Sequence, residues 1–417
     1  MVKATRTIYY PEKNAAEVKG AQFMAKSKPD VIISKGLDDI IVEESTISYV
    51  DGEKGRLIYR GFDIETLAKH SNFEEVAYVV WNGDLPTKSQ YEELKKQLAA
   101  NRSIPGEVLS ILKLLPKSTH PMDAMKAAVS ALAPFDSELQ DNSREANLRK
   151  SIRLTAKFPT IVSAFNRIRN GQEPIQPNHK LDHATNFLYM LSGLEPTVLA
   201  GKVMDTALVL HIEHEMNASA FACVVTASTL SDIYSAVVSG IGTLKGPLHG
   251  GANEAALKMM NEIGSPDKAE AYVLKALRER RKVPGFGHRV YKAYDPRARI
   301  FKQYVKDLSE AKESTLQYDV ASKVEQVAIR ELGAAKGIFP NIDFYSGIVY
   351  NLFGIPTDLF TSIFAVARVV GWAAHVMEYL EDNRLIRPRA HYVGPLERAY
   401  ISIDQRQERK LAVTTLP

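Results

Sequence analysis

The sequence predicts a mostly α-helical protein with one small β-hairpin near the N-terminus. Helix-capping signals recur along the chain after residue 70, whereas the alternation typical of strands is clear only over residues 46–59. Of the 417 residues, 45% are hydrophobic and 24% are charged, which is the balance of a globular protein with a sizeable core.

The composition argues against several classes of protein. The net charge of +4 is small for this length, so nothing global favours nucleic acid as a partner. The single cysteine, Cys223, cannot form an internal disulfide, and its apolar helical surroundings predict a buried, inert thiol. No apolar run comes close to the roughly 20 residues of a membrane span, and the N-terminus lacks the apolar core of a signal peptide. We therefore expect a cytoplasmic protein without a membrane partner.

The hairpin is predicted over Thr46–Tyr59, where two alternating runs flank Asp51-Gly52. Residues 1–36 precede it as a polar N-terminal extension. Beyond the hairpin we expect only helices and connectors. Asn72 begins a helix with a capping box that ends at Glu75, and the segment of residues 87–90 begins the next helix. Later helices are predicted over residues 105–116, 121–132 and 144–169.

The second half predicts longer helices and a division into domains. Residues 196–215 and 217–239 are each expected to form one helix. The second of these is rich in Ala and Ser, so it packs closely either in the core or at a subunit interface. The segments that carry chemistry cluster between residues 246 and 347. A small domain over 251–349 is therefore expected within a large helical domain of 37–250 and 350–417.

Two of these segments place a proton-transfer residue at the start of a predicted helix. His249 lies in Gly246-Pro-Leu-His-Gly-Gly-Ala-Asn253, where a helix dipole disfavours imidazolium and a neutral imidazole can polarise a carbonyl group. Asp343 lies in Pro340-Asn-Ile-Asp-Phe-Tyr-Ser-Gly347, where it is either an N-cap or a base. His249 also has a purely structural alternative, as a residue that caps the helix. The motifs alone leave the structural and the catalytic role open for both His249 and Asp343.

The third segment, Pro284-Gly-Phe-Gly-His288-Arg-Val-Tyr291, lies among basic residues. It lacks the third glycine and the preceding strand of a dinucleotide-binding fingerprint, although its glycines can expose backbone groups to a ligand. The basic cluster is either a solvated helix end or a site for a nucleotide or phosphate.

Other polar residues point to an anion rather than a metal. His211 and His214 are three residues apart, but their spacing matches no zinc motif, so no metal is expected. Arg368 lies in a very apolar predicted helix, where its charge needs a carboxylate from the protein or from a ligand. Arg387 lies in a rigid, exposed segment and means little alone.

Together these segments resemble the citrate synthase family. The three motifs around His249, His288 and Asp343 occur in order, followed by Phe364-Ala-Val-Ala-Arg368 and Ile386-Arg-Pro-Arg389. The resemblance covers roughly residues 38–400. It implies a mostly helical homodimer, in which each subunit has a large domain for dimerisation and a small domain for CoA binding. The active site then lies in the cleft between them.

The resemblance also implies residue roles. Asp343 is the base that takes a methyl proton from acetyl-CoA, His249 bonds the thioester oxygen, and His288 polarises the oxaloacetate ketone. The expected oxaloacetate ligands are His214, Arg297 and Arg368, with Arg387 supplied by the other subunit. The expected CoA-binding residues are Val283, Pro284, Gly285, Phe286, Gly287, Arg281, Lys282, Arg299 and Lys336.

The function implied is condensation of acetyl-CoA with oxaloacetate and water to give citrate and CoA, with no cofactor because the CoA thioester is a substrate. The close alternative is a 2-methylcitrate synthase, which uses propionyl-CoA with the same catalytic residues. A non-enzymatic helical scaffold is the alternative from another class. It predicts damage to the proton-transfer set, yet His249, His288 and Asp343 are all present.

Overall fold

The structure is a computed structural model that describes residues 33–37 and 40–406. The predicted extension of residues 1–36 thus lies outside the described residues except for 33–36. The chain divides into two compact units. One covers residues 43–387 and holds the sheet, the α-helices and the candidate site. The described residues outside that range belong to the other unit.

The sheet has three antiparallel strands in the order β1 (Ser48–Asp51), β2 (Arg56–Tyr59) and β3 (Phe62–Asp63). Asp51 pairs with Arg56, so Gly52 to Gly55 form the hairpin turn. The predicted hairpin is confirmed. The third strand was not expected. It follows a two-residue turn at Arg60 and Gly61, whose φ angles of 47° and 90° suit a tight hairpin.

Beyond this sheet, the regular elements of the described residues are helices joined by turns and loops, which confirms the predicted fold class. The α-helices are α1 (Ile64–His70), α2 (Phe73–Asn82), α3 (Lys88–Ala100), α4 (Gly106–Leu114), α5 (Pro121–Leu132), α6 (Arg144–Arg169), α7 (His183–Ser192), α8 (Val198–His211), α9 (Ala218–Ala227), α10 (Ile233–Leu244), α11 (Ala252–Ile263), α12 (Pro266–Arg278), α13 (Pro296–Ala311), α14 (Leu316–Ala328), α15 (Ala334–Lys336), α16 (Ile342–Leu352) and α17 (Phe360–Glu381).

Local capping chemistry explains many helix ends. Asn72 accepts a hydrogen bond from the Glu75 amide at the start of α2. Gly83, in the left-handed conformation, ends the same helix. Thr87 and Gln90 form a reciprocal capping box at the start of α3. Each of these side chains bonds a backbone group only a few residues away. The sequence alone therefore indicated these helix ends correctly.

Two helix predictions in the second half were wrong. Residues 217–239 form α9 and α10 rather than one helix, because Leu230 has a φ of 66° and Asp232 caps the second helix. The predicted helix over 196–215 ends at His211. The chain then leaves the helical path, and Glu215 has a φ of 53°. That departure creates the loop in which His214 lies.

Helix α17 runs through the core and packs against α2, α6, α8, α9 and α10. Among the described residues, Thr357–Glu381 is the one stretch long and apolar enough to cross a membrane by length and composition. The expectation that no run reaches that length was therefore wrong. Of its apolar window, 94% is buried inside the protein, as in the core helix of a globular fold.

Candidate active site

The loop that precedes His288 is tied by its backbone to the segment that precedes Asp343. The Gly287 amide donates to the Phe339 carbonyl at 2.9 Å, and the Asn341 amide donates to the Gly285 carbonyl at 2.9 Å. Gly285 has a φ of 79°, and a Cβ there would lie 2.7 Å from the Phe344 Cα. The Gly285 carbonyl and the Gly287 amide therefore bond within the protein. The sequence had left open that these glycines expose backbone groups to a ligand.

Asp343 lies in the first turn of α16, but it is not the helix cap. Asn341 is the N-cap, and its Oδ1 accepts the Asp343 amide at 3.0 Å. Within the described chain no hydrogen bond reaches the Asp343 carboxylate. Burial raises the pKa of Asp343 to about 6, although Arg297 and Arg368 oppose the rise. At neutral pH it is an ionised carboxylate that is more basic than usual, which suits a general base.

Arg297 is held by a carboxylate that sequence reasoning missed. Asp295 accepts Nε of Arg297 at 3.0 Å and Nη2 at 2.8 Å, and both side chains are buried. Asp295 also accepts the Ile342 amide at 3.2 Å. Burial alone would lower the pKa of Arg297, but Asp295 raises it above its usual range. Asp295 thus joins this arginine to the N-terminus of α16. Its place two residues before Arg297, directly before a proline that can begin a helix, was the available signal.

Arg368 is different, because no carboxylate pairs with it in the part of the chain that the structure describes. It is 1% exposed on α17, and its Nε donates to the His211 carbonyl at 2.7 Å. Its guanidinium lies 4.6 Å from the centroid of the Phe364 ring. Burial lowers the pKa of Arg368 to about 10, with Glu213 opposing. Arg368 remains a cation. Of the two partners that the sequence left open, a carboxylate of the protein or of a ligand, the structure favours the ligand.

His288 is a neutral imidazole whose tautomer is set by backbone amides. Its Nδ1 accepts from the Val290 amide at 3.0 Å and from the Tyr291 amide at 3.2 Å. Burial, reinforced by Arg297, lowers the pKa of His288 to about 4. A backbone N–H can only donate, so Nδ1 must accept and carries no hydrogen. In the neutral ring the hydrogen is therefore on Nε2. His288 is therefore a hydrogen-bond donor at Nε2.

His214 and Tyr291 lie against His288 with polar atoms unpartnered. The ring centroids of His214 and His288 are 5.0 Å apart, and those of His214 and Tyr291 are 5.4 Å apart. His214 Nε2 and the Tyr291 hydroxyl are buried without a hydrogen-bond partner among the described residues. Burial holds the pKa of His214 well below its ordinary value. Unpartnered buried polar atoms are expected where a ligand completes the site. Sequence reasoning missed Tyr291, although it ends the His288 motif.

His249 precedes α11, but the residue that caps this helix is Gly251, so the capping alternative was wrong. His249 Nε2 lies 2.8 Å from the Ser219 hydroxyl. Burial, reinforced by Arg368, lowers the pKa of His249 to about 4, so this imidazole is also neutral. The Ser219 hydroxyl accepts from Trp372 Nε1 at 2.9 Å. Ser219 was missed, although a serine in so apolar a helix was a usable signal.

The predicted CoA-binding residues are partly buried and partly exposed. The Phe286 ring packs edge-on against Phe344, with centroids 4.8 Å apart, and Val283 is buried. Arg281 pairs with Glu279 at 2.7 Å. All four cations of this prediction are exposed, namely Arg281, Lys282, Arg299 and Lys336, and Arg387 is also exposed.

His211 Nδ1 donates to the Ala207 carbonyl at 2.7 Å, and within the described residues His211 and His214 belong to no group of three or more side chains with the spacing of metal ligands. One other group among the described residues has suitable spacing: Glu43, His375 and Glu378. Burial alone would lower the pKa of His375, but the carboxylates of Glu213 and, to a smaller extent, Glu43 raise it to about 10. His375 is then an imidazolium that pairs with Glu213 at 3.0 Å, and it would have to release a proton before it could bind a metal.

Comparison with known proteins agrees with this arrangement. The family model "Citrate synthase, C-terminal domain" matches residues 36–389. The chain belongs to the citrate synthase family. A citrate synthase from Deinococcus radiodurans is 45% identical over 375 residues, which cover 90% of this chain and 99% of that protein. This member of the family is an acyltransferase that condenses acetyl-CoA with oxaloacetate to form citrate.

Solved structures agree as well. The crystal structure of citrate synthase from Pyrobaculum aerophilum has a TM-score of 0.87 and 43% identity, and the match covers 94% of this chain and 100% of that one. The ternary complex of carboxymethyl coenzyme A and oxaloacetate with citrate synthase from the archaeon Thermoplasma acidophilum has a TM-score of 0.85. That chain is 37% identical, with 90% of this chain and 100% of that chain covered.

Proposed function

We propose that Asp343, His249 and His288 form the acid–base set of the condensation. Asp343 removes a methyl proton from acetyl-CoA while His249 donates a hydrogen bond to the thioester oxygen. His288 donates from Nε2 to the oxaloacetate ketone and protonates it as the carbon–carbon bond forms. Citryl-CoA is then hydrolysed. The observation that carries the proposal is that two buried arginines act on all three groups: Arg297 and Arg368 both act on the raised pKa of Asp343, Arg368 on that of His249 and Arg297 on that of His288. Preorganised donors of this kind stabilise a developing enolate.

Arg297, Arg368 and His214 are proposed to hold oxaloacetate, which is a dianion. Two buried guanidiniums and the unpartnered Nε2 of His214 support this assignment. The guanidiniums differ: Arg297 is already paired with Asp295, whereas Arg368 has no carboxylate partner within the described residues. Charge-assisted bonds from arginine to carboxylate are strong and directional, so they orient the ketone toward His288.

A homodimer is proposed, with Arg387 reaching the active site of the neighbouring subunit. Arg387 is exposed within one chain. Helices α9 and α10 pack together and leave small and apolar side chains partly exposed, as an interface requires. Phe221, Ala222 and Val225 on α9 and Val238 on α10 belong to this surface.

Residues 251–349 are proposed as a small domain that binds CoA, and residues 37–250 with 350–417 as the large domain. The loop of Val283, Pro284, Gly285, Phe286 and Gly287 takes the adenine, and its packing on Phe344 brings it next to the proposed base. Candidates for the CoA phosphates are Arg281, Lys282, Arg299 and Lys336. We propose that the reaction needs no cofactor, because this carboxylate and these imidazoles supply the proton transfers, and that the enzyme works in the cytoplasm.

The acyl group is proposed to be acetyl rather than propionyl. One methylene changes selectivity by only about 10- to 200-fold, so some turnover of propionyl-CoA is expected. The ratio of kcat/KM for the two thioesters on the purified enzyme tests this, and a higher value for propionyl-CoA would overturn it.

The substitution Asp343→Asn tests the assignment of the base. We expect kcat to fall by about 10²- to 10⁴-fold, since the amide cannot take a proton. Oxaloacetate binding, measured by calorimetry, should be unchanged or tighter, because a nearby negative charge is lost. Asp319→Asn is the matched control, since Asp319 occupies the first turn of α14 and is exposed. Turnover that survives Asp343→Asn would show that another group is the base.

A further inference from the structure

The β1–β2 hairpin contacts the loop that carries His214. The Val50 amide donates to Glu215 Oε1 at 2.8 Å. The Tyr59 hydroxyl donates to the Glu213 carbonyl at 2.9 Å and accepts the Glu213 amide at 3.2 Å. The Ser48 hydroxyl also accepts the Glu215 amide at 2.9 Å, so the hairpin holds the backbone on both sides of His214.

The tip of the same hairpin lies against the loop that carries His288. The Lys292 amide donates to the Gly52 carbonyl at 2.9 Å. A Cβ built at Gly52 would lie 3.0 Å from the Val290 carbonyl carbon and still closer to its oxygen. A Cβ at Gly55 would lie 2.6 Å from the Tyr294 carbonyl oxygen. Both glycines thus allow backbone to approach backbone.

The residue touched by Gly52 is one of the two that orient His288. The Val290 amide and the Tyr291 amide both donate to His288 Nδ1. Residues 288–295 include neither helix nor strand, so these contacts, rather than a regular element, hold the two amides. A displaced Val290 carbonyl moves the peptide that joins Val290 to Tyr291, and with it the Tyr291 amide.

We propose that the hairpin tip is a positioning element for the reaction: Gly52 holds the Val290–Lys292 backbone so that its amides select the tautomer of His288 that donates from Nε2. The inference rests on the proposed role of His288. The sequence indicated only a structural role for the hairpin. The proposal gives its Asp51-Gly52 turn a role in orienting a catalytic residue. A displacement of about 1 Å at a reacting group can cost about 100-fold in rate.

Gly52→Ala is the direct test. Gly52 is not among the glycines with positive φ, so alanine tolerates its backbone and only the contact with Val290 changes. Gly55 is unsuitable, since its φ is +64°. The matched control is Gly106→Ala, because a Cβ at that helical position meets nothing within 4 Å.

We expect Gly52→Ala to lower kcat by about 10- to 100-fold. The KM for acetyl-CoA and the melting temperature should stay close to wild type. In ¹⁵N spectra of histidine-labelled enzyme, the His288 signals, assigned by their loss in His288→Ala, should change from the Nε2–H tautomer to a mixture. Gly106→Ala should alter none of these quantities.

A second variant avoids the steric clash. Deleting Glu53 and Lys54, which are exposed, leaves Gly52 and Gly55 as a two-residue turn between the paired Asp51 and Arg56. This shortened tip withdraws from Val290 without adding an atom. We expect the same loss of kcat and the same change of tautomer. It also provides the test if Gly52→Ala fails to fold.

The outcomes separate the two proposals. If His288→Ala keeps wild-type turnover, the proposed role of His288 is wrong, whatever Gly52 does. If His288→Ala loses turnover while the folded hairpin variants keep wild-type kcat and the Nε2–H signal, only the positioning role of the hairpin is wrong. A lowered melting temperature with unchanged kcat and tautomer also contradicts it, because the hairpin would then serve stability alone.

Discussion

His249 and His288 are both neutral imidazoles, but different kinds of groups hold them. His288 Nδ1 faces two backbone amides, which can only donate, so one tautomer is enforced. His249 Nε2 faces the hydroxyl of Ser219, which can donate or accept. Burial makes both rings neutral, yet it does not decide which nitrogen carries the hydrogen. The partner decides that, and only His288 has a partner that leaves no choice.

The Ser219 hydroxyl has one hydrogen and two acceptors within reach. Its oxygen lies 2.8 Å from Asn217 Oδ1 and 2.8 Å from His249 Nε2. When the hydroxyl points to Asn217, His249 must donate from Nε2. When it points to His249, Nδ1 carries the hydrogen and can bond the thioester oxygen. The proposed role of His249 requires the second arrangement, so binding of acetyl-CoA should select it.

The largest expected effects are those of removing either imidazole. We expect His249→Ala and His288→Ala each to lower kcat by about 10²- to 10⁴-fold, because each removes a donor that stabilises developing charge. His70→Ala, at an exposed position of α1, is the control. Steady-state kinetics measures the loss of kcat. A loss of less than tenfold at either site would contradict the view that both imidazoles act as donors in the reaction.

The pH dependence of kcat/KM has the next largest expected effect, because this ratio reports pKa values of the enzyme before the substrate is bound. A base must be ionised, and burial raises the pKa of Asp343 to about 6, so kcat/KM should fall as pH falls through that value. The loss is about tenfold for each unit below it. Both histidines have a pKa of about 4 and stay neutral in this range. Measured from pH 5 to 8, kcat/KM for acetyl-CoA should show one acid limb. A second limb that disappears in His249→Ala or His288→Ala would contradict the comparison of the two histidines.

A smaller effect is expected from Ser219→Ala, which leaves His249 Nε2 without its hydroxyl partner. One lost hydrogen bond of about 1.4 kcal/mol corresponds to about a tenfold lower kcat. Ser151→Ala is the matched control, because Ser151 is a buried helical serine that donates to the Asn147 carbonyl. An equal loss in both variants would mean that general packing, rather than the orientation of His249, is responsible.

The sequence predicted what depends on neighbouring residues. The caps at Asn72 and Thr87, and the bounds of α5 and α6, follow from local chemistry and were found correctly. The break between α9 and α10 was missed, because Ala- and Ser-rich residues continue across it and a single non-glycine residue, Leu230, turns the chain.

For the site, motifs indicated the residues that would carry chemistry but not those that hold them. Asp295 and Ser219 act on groups that the sequence singled out, yet each has an ordinary local role as well, in a helix cap or a helix face. The contact of Gly52 with Val290 joins residues more than 200 positions apart, and no local pattern encodes such an approach. Long-range backbone contacts therefore account for most of what sequence reasoning could not supply.

The most direct test of the difference between the two histidines is a ¹⁵N spectrum of histidine-labelled enzyme at pH 7, with and without substrates. Without substrates, His288 should be neutral with its hydrogen on Nε2, and His249 should be neutral with a mixture of tautomers. Oxaloacetate and a non-reacting CoA thioester analogue should move His249 to the Nδ1–H form and leave His288 unchanged. An imidazolium at either site, or a His288 that carries its hydrogen on Nδ1, would contradict the account.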